Sequence, residues 1–141
     1  GTWGINTWAC SKAGYIAYLN SGVWDSAEVG SGATRYGPIT GKPADYLSPG
    51  KTLDSFGTDA NSTYKEIMIK YATANYVSHY FKLGSTDVQV RTSGYAKFAD
   101  DVLDARIRAG EAVDITGILT IYSGSAQFSL IDEPGVSVKL Q

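Results

Sequence analysis

Few side chains in this sequence are typical nucleophiles, general bases or metal ligands, and their spacing favours no particular reaction. His79 is the only histidine and Cys10 the only cysteine. A site with two histidines, an intramolecular disulfide and a tetrahedral zinc site built from cysteines are therefore excluded. Strand alternation points His79 inward, so we interpret it as a core or rim histidine rather than a catalytic base. Cys10 has no recognisable partner in the sequence, and no serine lies in a Gly-x-Ser-x-Gly motif.

Carboxylates are the remaining candidates for catalysis. Asp100 adjoins Asp101, and Asp132 adjoins Glu133. Adjacent residues on a helix point about 100° apart, so such a pair does not converge on one substrate atom. A helix start explains the first pair, and a turn explains the second. We therefore predict no catalytic residues, no enzyme activity, no metal site and no cofactor, and we interpret the segment 59–61 as a turn rather than a weak calcium site.

Tyrosine rings and long hydrogen-bond donors alternate along two predicted strands. Their outward positions share one sheet surface, because side chains alternate between the two faces of a strand. Rings of this kind stack on sugars or bases, while Lys and Arg supply donors. The alternative is that they are ordinary solvent-facing strand residues. The predicted ligand-binding residues are Tyr76, Tyr80, Lys82, Gln89 and Arg91, with Tyr95 and Lys97 just beyond the strands.

Three tryptophans lie in the N-terminal half of the chain: Trp3, Trp8 and Trp24. They form either a sugar-stacking platform, or the small core of this half, or its seam against the rest of the protein. We favour the core, because this half has few other large apolar residues.

The elements that position these residues are predicted from hydrophobic periodicity. Strands are expected around 76–83 and 87–91, with a turn at 84–86. A hairpin follows, in which Val113, Ile115, Gly117, Leu119 and Ile121 face the core while Asp114, Thr116, Thr120 and Tyr122 face solvent. Its turn lies at 123–125, and the returning strand carries Ala126, Phe128 and Leu130 inward. A last strand is predicted at 136–140.

A helix is predicted between the two strand pairs. Phe98, Val102, Leu103 and Ile107 form an apolar stripe at helical spacing, and Gly110 ends the helix. Before residue 76 the pattern is weaker. We predict strands at 14–19 and 23–29, an irregular connection over 36–62, and a strand rather than a helix at 65–75.

This order of elements favours a mainly β fold. A helix between the third and fourth strands is typical of the five-stranded OB barrel. We therefore predict an OB-like barrel over residues 63–141, preceded by an irregular, aromatic-rich and Gly-rich extension over 1–62. The first strand of the barrel comes from 64–73 or from 14–19. A plain β-sandwich is the alternative.

Three runs of sequence carry a resemblance to a known group of domains. They are YFKLG at 80–84, DVQVRTSGYAKFA at 87–99 and GEAVDITGILTIYSG at 110–124. Together they resemble the OB-like domains of Bacteroidetes exported proteins, a domain family without an assigned function, over about residues 76–141. The resemblance implies a cell-envelope setting, periplasmic or at the cell surface, in some cases through a lipoprotein anchor. It carries over no catalytic residues.

Composition limits the class of partner. The 141 residues carry a formal net charge of −2, and the sequence pI is about 5.2. This balance gives no general attraction to phosphate backbones or anionic lipid. No apolar run is long enough to span a membrane. The first residue is Gly1 rather than Met, from which we expect a processed or trimmed chain.

The function that these observations favour is binding without catalysis. We expect an accessory binding or interaction domain of an exported bacterial protein, with a glycan or another protein as its ligand. One alternative is a single-stranded nucleic-acid-binding OB domain that uses the same sheet surface. The other is a carboxylate-dependent hydrolase.

Overall fold

The computed structural model describes residues 6–30 and 35–131, which belong to two compact units. The first unit comprises Gly1–Gly14 and Thr73–Gln141, and the second comprises Tyr15–Ala72. The boundary predicted between residues 62 and 63 falls inside the second unit. None of the helices in the described part of the chain could cross a bilayer.

A mixed sheet forms the first unit. Its strands in spatial order are β1-β2-β4-β3, with β1 antiparallel to β2, β3 antiparallel to β4, and β2 parallel to β4. The mainly β prediction is confirmed, whereas a closed five-stranded barrel is not seen in the described residues. The predicted strand at 136–140 lies outside the described residues. The strands are β1 (Val77–Leu83), β2 (Thr86–Thr92), β3 (Gly117–Tyr122) and β4 (Ser125–Leu130).

The predicted helix between the strand pairs exists but is short. Residues 94–100 form turns, and the helix α4 covers only Ala105–Arg108. Asp104 begins α4, because its carboxylate accepts a hydrogen bond from the Arg106 N–H at 2.8 Å. Gly110 follows the helix at φ 91°, as a C-terminal stop requires. Because the helix begins after Asp104, Val102 lies outside it, and the side chain of Val102 is 62 % exposed. The apolar stripe predicted for the helix is therefore wrong at Val102.

The core of the first unit lies on one side of the sheet. Trp8 is fully buried there, and its ring stacks on Phe81 with a centroid distance of 6.4 Å. Partly buried apolar residues from the strands and from the segment before β3 pack around this centre. The buried members of the core are Trp8, Val90, Leu103, Ile107 and Leu130.

The alternation predicted for the second hairpin holds where the hairpin begins and ends. Val113 and Ile115 pack against the core, Asp114 and Thr116 are exposed, and Phe128 and Leu130 of the returning strand also lie inward. Near the turn the inward prediction is wrong: Leu119 and Ile121 are 66 % and 69 % exposed, and Ala126 is exposed as well. Leu119 and Ile121 do lie on the core face of the sheet, since Leu119 pairs with Phe128.

Helices replace three predictions made for the chain before residue 76. The strand expected at 14–19 is the helix α1, Lys12–Asn20. The strand expected at 65–75 is the helix α3, Tyr64–Lys70, which a capping box between Thr63 and Glu66 begins. The irregular connection expected over 36–62 contains the helix α2, Pro43–Tyr46, and a 3-10 segment, Leu53–Asn61. Neither candidate for a first barrel strand, 64–73 or 14–19, is therefore a strand.

The second unit has its own small aromatic core. Trp24 is 8 % exposed, and its ring meets Tyr18 edge to face at a centroid distance of 4.5 Å. The strand predicted at 23–29 is wrong, because this segment forms turns and a single bridge, Glu28 to Pro38. The core role expected of the tryptophans is confirmed for Trp24, whereas Trp8 is buried in the core of the first unit rather than in a core of the N-terminal half. Trp3 lies outside the described residues.

Candidate binding face

The strand register gathers the predicted residues of β1 and β2 on one side of the sheet. Residues that face each other across an antiparallel pair point to the same side. This side is opposite the buried residues Val77 and Val90, so it is directed away from the core. The facing pairs are Ser78 with Arg91, Tyr80 with Gln89, and Lys82 with Asp87.

The parallel pairing of β2 with β4 extends this surface over the whole sheet. Arg91 pairs with Ser129 on β4, and Ser129 pairs with Ile118 on β3. Because the side is almost entirely polar or aromatic, we call it the polar face. Its members are Ser78, Tyr80 and Lys82 of β1, Asp87, Gln89 and Arg91 of β2, Ile118, Thr120 and Tyr122 of β3, and Ser125, Gln127 and Ser129 of β4.

The residues of β3 and β4 were missed in the sequence analysis as binding residues. Thr120 and Tyr122 were identified there as outward positions, and the inward positions of Phe128 and Leu130 imply the same of Gln127 and Ser129. The missing information was which strand lies beside β2. This neighbour is β4, thirty-odd residues later in the chain, and no local pattern indicates the pairing.

Contacts within the polar face hold several of its side chains in place. The Arg91 guanidinium lies 5.1 Å from the centroid of the Tyr76 ring, a cation–π distance. This contact brings Tyr76, which precedes β1, into the same surface. The Gln89 side-chain amide donates to the Ser78 hydroxyl at 3.1 Å. Gln89 and Arg91 are half-buried, so their donors are fixed at the middle of the sheet rather than free in solvent.

Exposed rings share the polar face with these donors. Tyr80 is 70 % exposed, Tyr122 67 % and Tyr76 52 %. A ring that is exposed on a flat sheet can stack on one face of a sugar, while neighbouring amides and guanidinium groups bond its hydroxyls. The polar face therefore has both kinds of group that a polar, ring-shaped ligand requires.

Charge on the polar face is partly compensated within the protein. Lys82 forms an ion pair with Asp87, with 2.6 Å between the ammonium nitrogen and a carboxylate oxygen. No carboxylate of the described residues forms an ion pair with Arg91. Among the residues that the structure describes, the face thus presents one guanidinium without an acidic partner, which does not amount to a continuous basic stripe.

Two predicted residues lie beyond the strands. Tyr95 is in the turn after β2, where its N–H donates to the Ser93 hydroxyl at 3.1 Å, and it is 81 % exposed. Lys97 follows in the same region and is also exposed. The strand register does not place either of them on the polar face.

His79 and Cys10 have structural positions. The Nε2 atom of His79 lies 3.0 Å from the Thr7 carbonyl oxygen, and its ring meets Trp8 edge to face. The inward interpretation of His79 is therefore confirmed. Burial, and then the nearby charge of Asp100, raise the pKa of the Cys10 thiol. A raised pKa keeps the thiol protonated and disfavours nucleophilic chemistry.

The described carboxylates also bind protein groups. Asp100 accepts hydrogen bonds from the Ser11 N–H at 2.9 Å and from the Ser11 hydroxyl, beside the start of α1. Asp59 accepts from Lys70 and from the Tyr71 hydroxyl, both at 2.7 Å. Asp132 and Glu133 lie outside the described residues. In residues 6–30 and 35–131, no group of His, Cys, Asp or Glu is arranged to hold a metal ion.

Comparison of the chain with protein-family models, with curated proteins and with solved structures finds no match. The interpretation of the polar face therefore rests on its own geometry.

Proposed function

We propose that the polar face binds a glycan, and that the protein is a non-catalytic binding module. The observation that carries this proposal is the arrangement of Tyr76, Tyr80 and Tyr122. Their exposed rings lie on the same face as the half-buried donors of Gln89 and Arg91, with Tyr76 against Arg91 and Tyr80 opposite Gln89. Rings for stacking around a few fixed donors are the features that a binding site for a polar ligand needs.

Charge favours a neutral ligand over a polyanion. The chain has a net charge of −2, and the Lys82–Asp87 pair leaves Arg91 as the main cation of the face. Nucleic-acid affinity depends on several cations that neutralise phosphates. A neutral oligosaccharide requires donors, acceptors and rings, which this surface supplies.

An OB-like barrel is the architecture that we propose for the first unit. Two hairpins joined by a segment with the short helix α4, and the parallel pairing of β2 with β4, support this proposal. OB barrels bind oligosaccharides and oligonucleotides on one face of the sheet. We further propose, from the resemblance of residues 76–141, that the module belongs to an exported cell-envelope protein of the Bacteroidetes type.

A binding screen tests the proposal. The protein would be titrated by calorimetry with a panel of neutral polysaccharides and with single-stranded oligonucleotides, at about 50 and 300 mM salt. We expect binding to a neutral glycan that changes little with salt. Binding to oligonucleotides that falls steeply with salt, with no glycan binding, would support the nucleic-acid alternative and contradict the proposal.

Matched variants locate the binding to the polar face. Tyr80→Ala is compared with Tyr71→Ala, which removes a similarly exposed ring from the second unit. Arg91→Gln is compared with Arg108→Gln, which removes the exposed guanidinium of the last residue of α4. We expect the Tyr80 and Arg91 variants to bind about tenfold more weakly, which is about 1.4 kcal/mol each, and the controls to bind normally. Unchanged affinity in both face variants would refute the assignment.

A further inference from the structure

The outer strand of the second hairpin carries apolar side chains on both of its faces. Strand β3 (Gly117–Tyr122) is at one end of the sheet, and β4 is its only strand neighbour among the described residues. Leu119 and Ile121 of the core face are exposed, and so are Ile118 and Tyr122 of the polar face. An edge strand that is apolar on both faces is a template for pairing with another strand.

The sequence of this hairpin has none of the features that usually prevent such pairing. Natural edge strands carry charged residues, prolines or bulges. The segment 115–131, which contains all of β3 and β4, has no charged residue and no proline, and the register of the two strands is continuous. The opposite edge of the sheet differs, because β1 carries Lys82, whose side chain is exposed. Of the two edges, β3 is therefore the one suited to a strand partner.

The hairpin geometry determines which residues of β3 can form new backbone hydrogen bonds. A two-residue turn follows β3 and closes on the pair of Tyr122 with Ser125, and both turn residues have positive φ. A turn of this type closes on a hydrogen-bonded pair, and hydrogen-bonded pairs then alternate along the strands. Leu119 and Ile121 therefore direct their N–H and C=O groups away from β4, toward the outer edge.

We propose that β3 pairs antiparallel with β3 of a second copy of this chain. Thr120 then lies opposite Thr120 of the second copy, on the twofold axis. Leu119 lies opposite Ile121 of the second copy, and the outward N–H and C=O groups of these residues bond to each other. On the polar face, Ile118 packs against Tyr122 of the second copy.

A second copy fits this edge because the edge is complementary to itself. The register matches each exposed apolar side chain of β3 with another apolar side chain, and no like charges meet, because the hairpin has none. The assembly also closes at two copies, because the outer edges of the joined sheets are then both β1, which carries the exposed Lys82. Two six-residue strands form a small interface beside the roughly 1,200 Å² of a stable complex, so the dimer is weak and concentration-dependent.

This inference does not depend on the proposed glycan binding. The pairing is at the edge of the sheet, whereas the fixed donors Gln89 and Arg91 lie on β2, two strands away from β3. A failure of one proposal leaves the other intact.

Sedimentation velocity of the full chain, over about 5 to 500 µM, tests the proposal. We expect monomer at the lowest concentration and an increasing fraction of dimer above it. Ile121→Lys places an ammonium group opposite Leu119 of the second copy and should weaken dimerisation about tenfold. Leu83→Lys is the matched control, because Leu83 is similarly exposed on the core face of the other edge strand. Neither side chain belongs to the buried core, so both variants are expected to fold.

Three results of this experiment would overturn the proposal. The first is a chain that stays monomeric at the highest concentration. The second is dimerisation that both variants weaken equally, and the third is dimerisation that only Leu83→Lys weakens, which would place the contact at β1.

Cysteine cross-linking tests the register. Thr120→Cys brings two thiols face to face across the twofold axis, within the Cα separation of about 4.4–6.8 Å that a disulfide needs. Tyr122→Cys is the control, because its two thiols are then four residues apart along the strands, about 14 Å. We expect a disulfide-linked dimer after air oxidation of Thr120→Cys and none from Tyr122→Cys, with the buried Cys10 present in both. Cross-linking that is equal in the two variants, reversed or absent from both would contradict the proposed pairing.

Discussion

At the scale of single residues, Arg91 shows how a strand residue becomes a candidate for binding. Its guanidinium lies against the Tyr76 ring, and no described acid pairs with it. A cation on an aromatic ring keeps its outward N–H groups available for a ligand, because the ring face accepts none of them as a strong hydrogen bond. Lys82 differs, because Asp87 occupies its ammonium group. The two cations of the face are therefore not equivalent.

Asp59 provides a prediction for pH dependence. Hydrogen bonds, first from Lys70 and then from Tyr71, hold the pKa of the Asp59 carboxyl below its usual range. A lowered pKa in the folded state stabilises the protein above the unfolded pKa of about 3.9, and this stabilisation is lost as the pH falls through the folded value. We expect Asp59→Asn to unfold at lower urea concentration than the unmodified protein at pH 7.

The difference in urea midpoint between Asp59→Asn and the unmodified protein should shrink as the pH falls below about 4 and close once the pH is below the folded pKa, where Asp59 is protonated in both states. Lys70→Met should behave in the same way, and Lys51→Met, which removes an exposed lysine, serves as the control. If the difference in urea midpoint stayed constant from pH 7 to below the folded pKa of Asp59, the ion pair between Asp59 and Lys70 would not be the cause of the difference.

At the scale of elements, the helices show where periodicity misleads. Ile67, Ile69 and Tyr71 alternate with polar residues and favour a strand. The structure has a helix there, because the Thr63 side chain accepts a hydrogen bond from the Glu66 N–H, and the Glu66 side chain accepts one from the Thr63 N–H. The spacing Thr-x-x-Glu is a capping-box signature that the sequence contains. Local capping chemistry therefore decides between two periodic patterns that fit the same residues.

A change at this cap tests its contribution. Thr63→Ala removes the hydroxyl oxygen that accepts the Glu66 N–H bond at 3.1 Å. We expect the free energy of unfolding to fall by about 1 kcal/mol, the usual cost of losing such a cap. Thr63→Ser keeps the oxygen and should retain most of the stability. Equal losses in the two variants, measured by urea unfolding, would mean that the cap hydrogen bond is not the cause.

The sequence predicts strands correctly where one face of the strand is covered by the core. Val77–Leu83 and Thr86–Thr92 follow the expected alternation, because Val77, Val90 and the partly buried Phe81 meet the core. Leu119 and Ile121 keep the alternation but remain exposed, since a pattern shows the side of a strand and not how far the core extends. The neighbouring positions of β2 and β4 depend on a long-range crossover. No periodicity of single strands contains that information.

At the scale of the whole molecule, the two faces of one sheet differ in their chemistry. The core side of the first unit carries Trp8 and the apolar residues packed around it, and the other side carries exposed tyrosines and half-buried donors. The second unit, Tyr15–Ala72, has its own aromatic core around Trp24. A net charge of −2 gives the protein no strong attraction to polyanions. Binding is therefore expected to depend on local geometry rather than on overall charge.

The most direct measurement is an NMR titration of the labelled full chain with the neutral glycan that binds best in the screen. If the polar face is the binding surface, the shifted amide signals will cluster at Gln89, Arg91, Gln127 and Ser129, which lie side by side on β2 and β4. The side-chain amide signals of Gln89 and Gln127 should move with them. Shifts confined to the core side of the sheet, at Leu103, Ile107 and Val113, or to the second unit, would contradict the account.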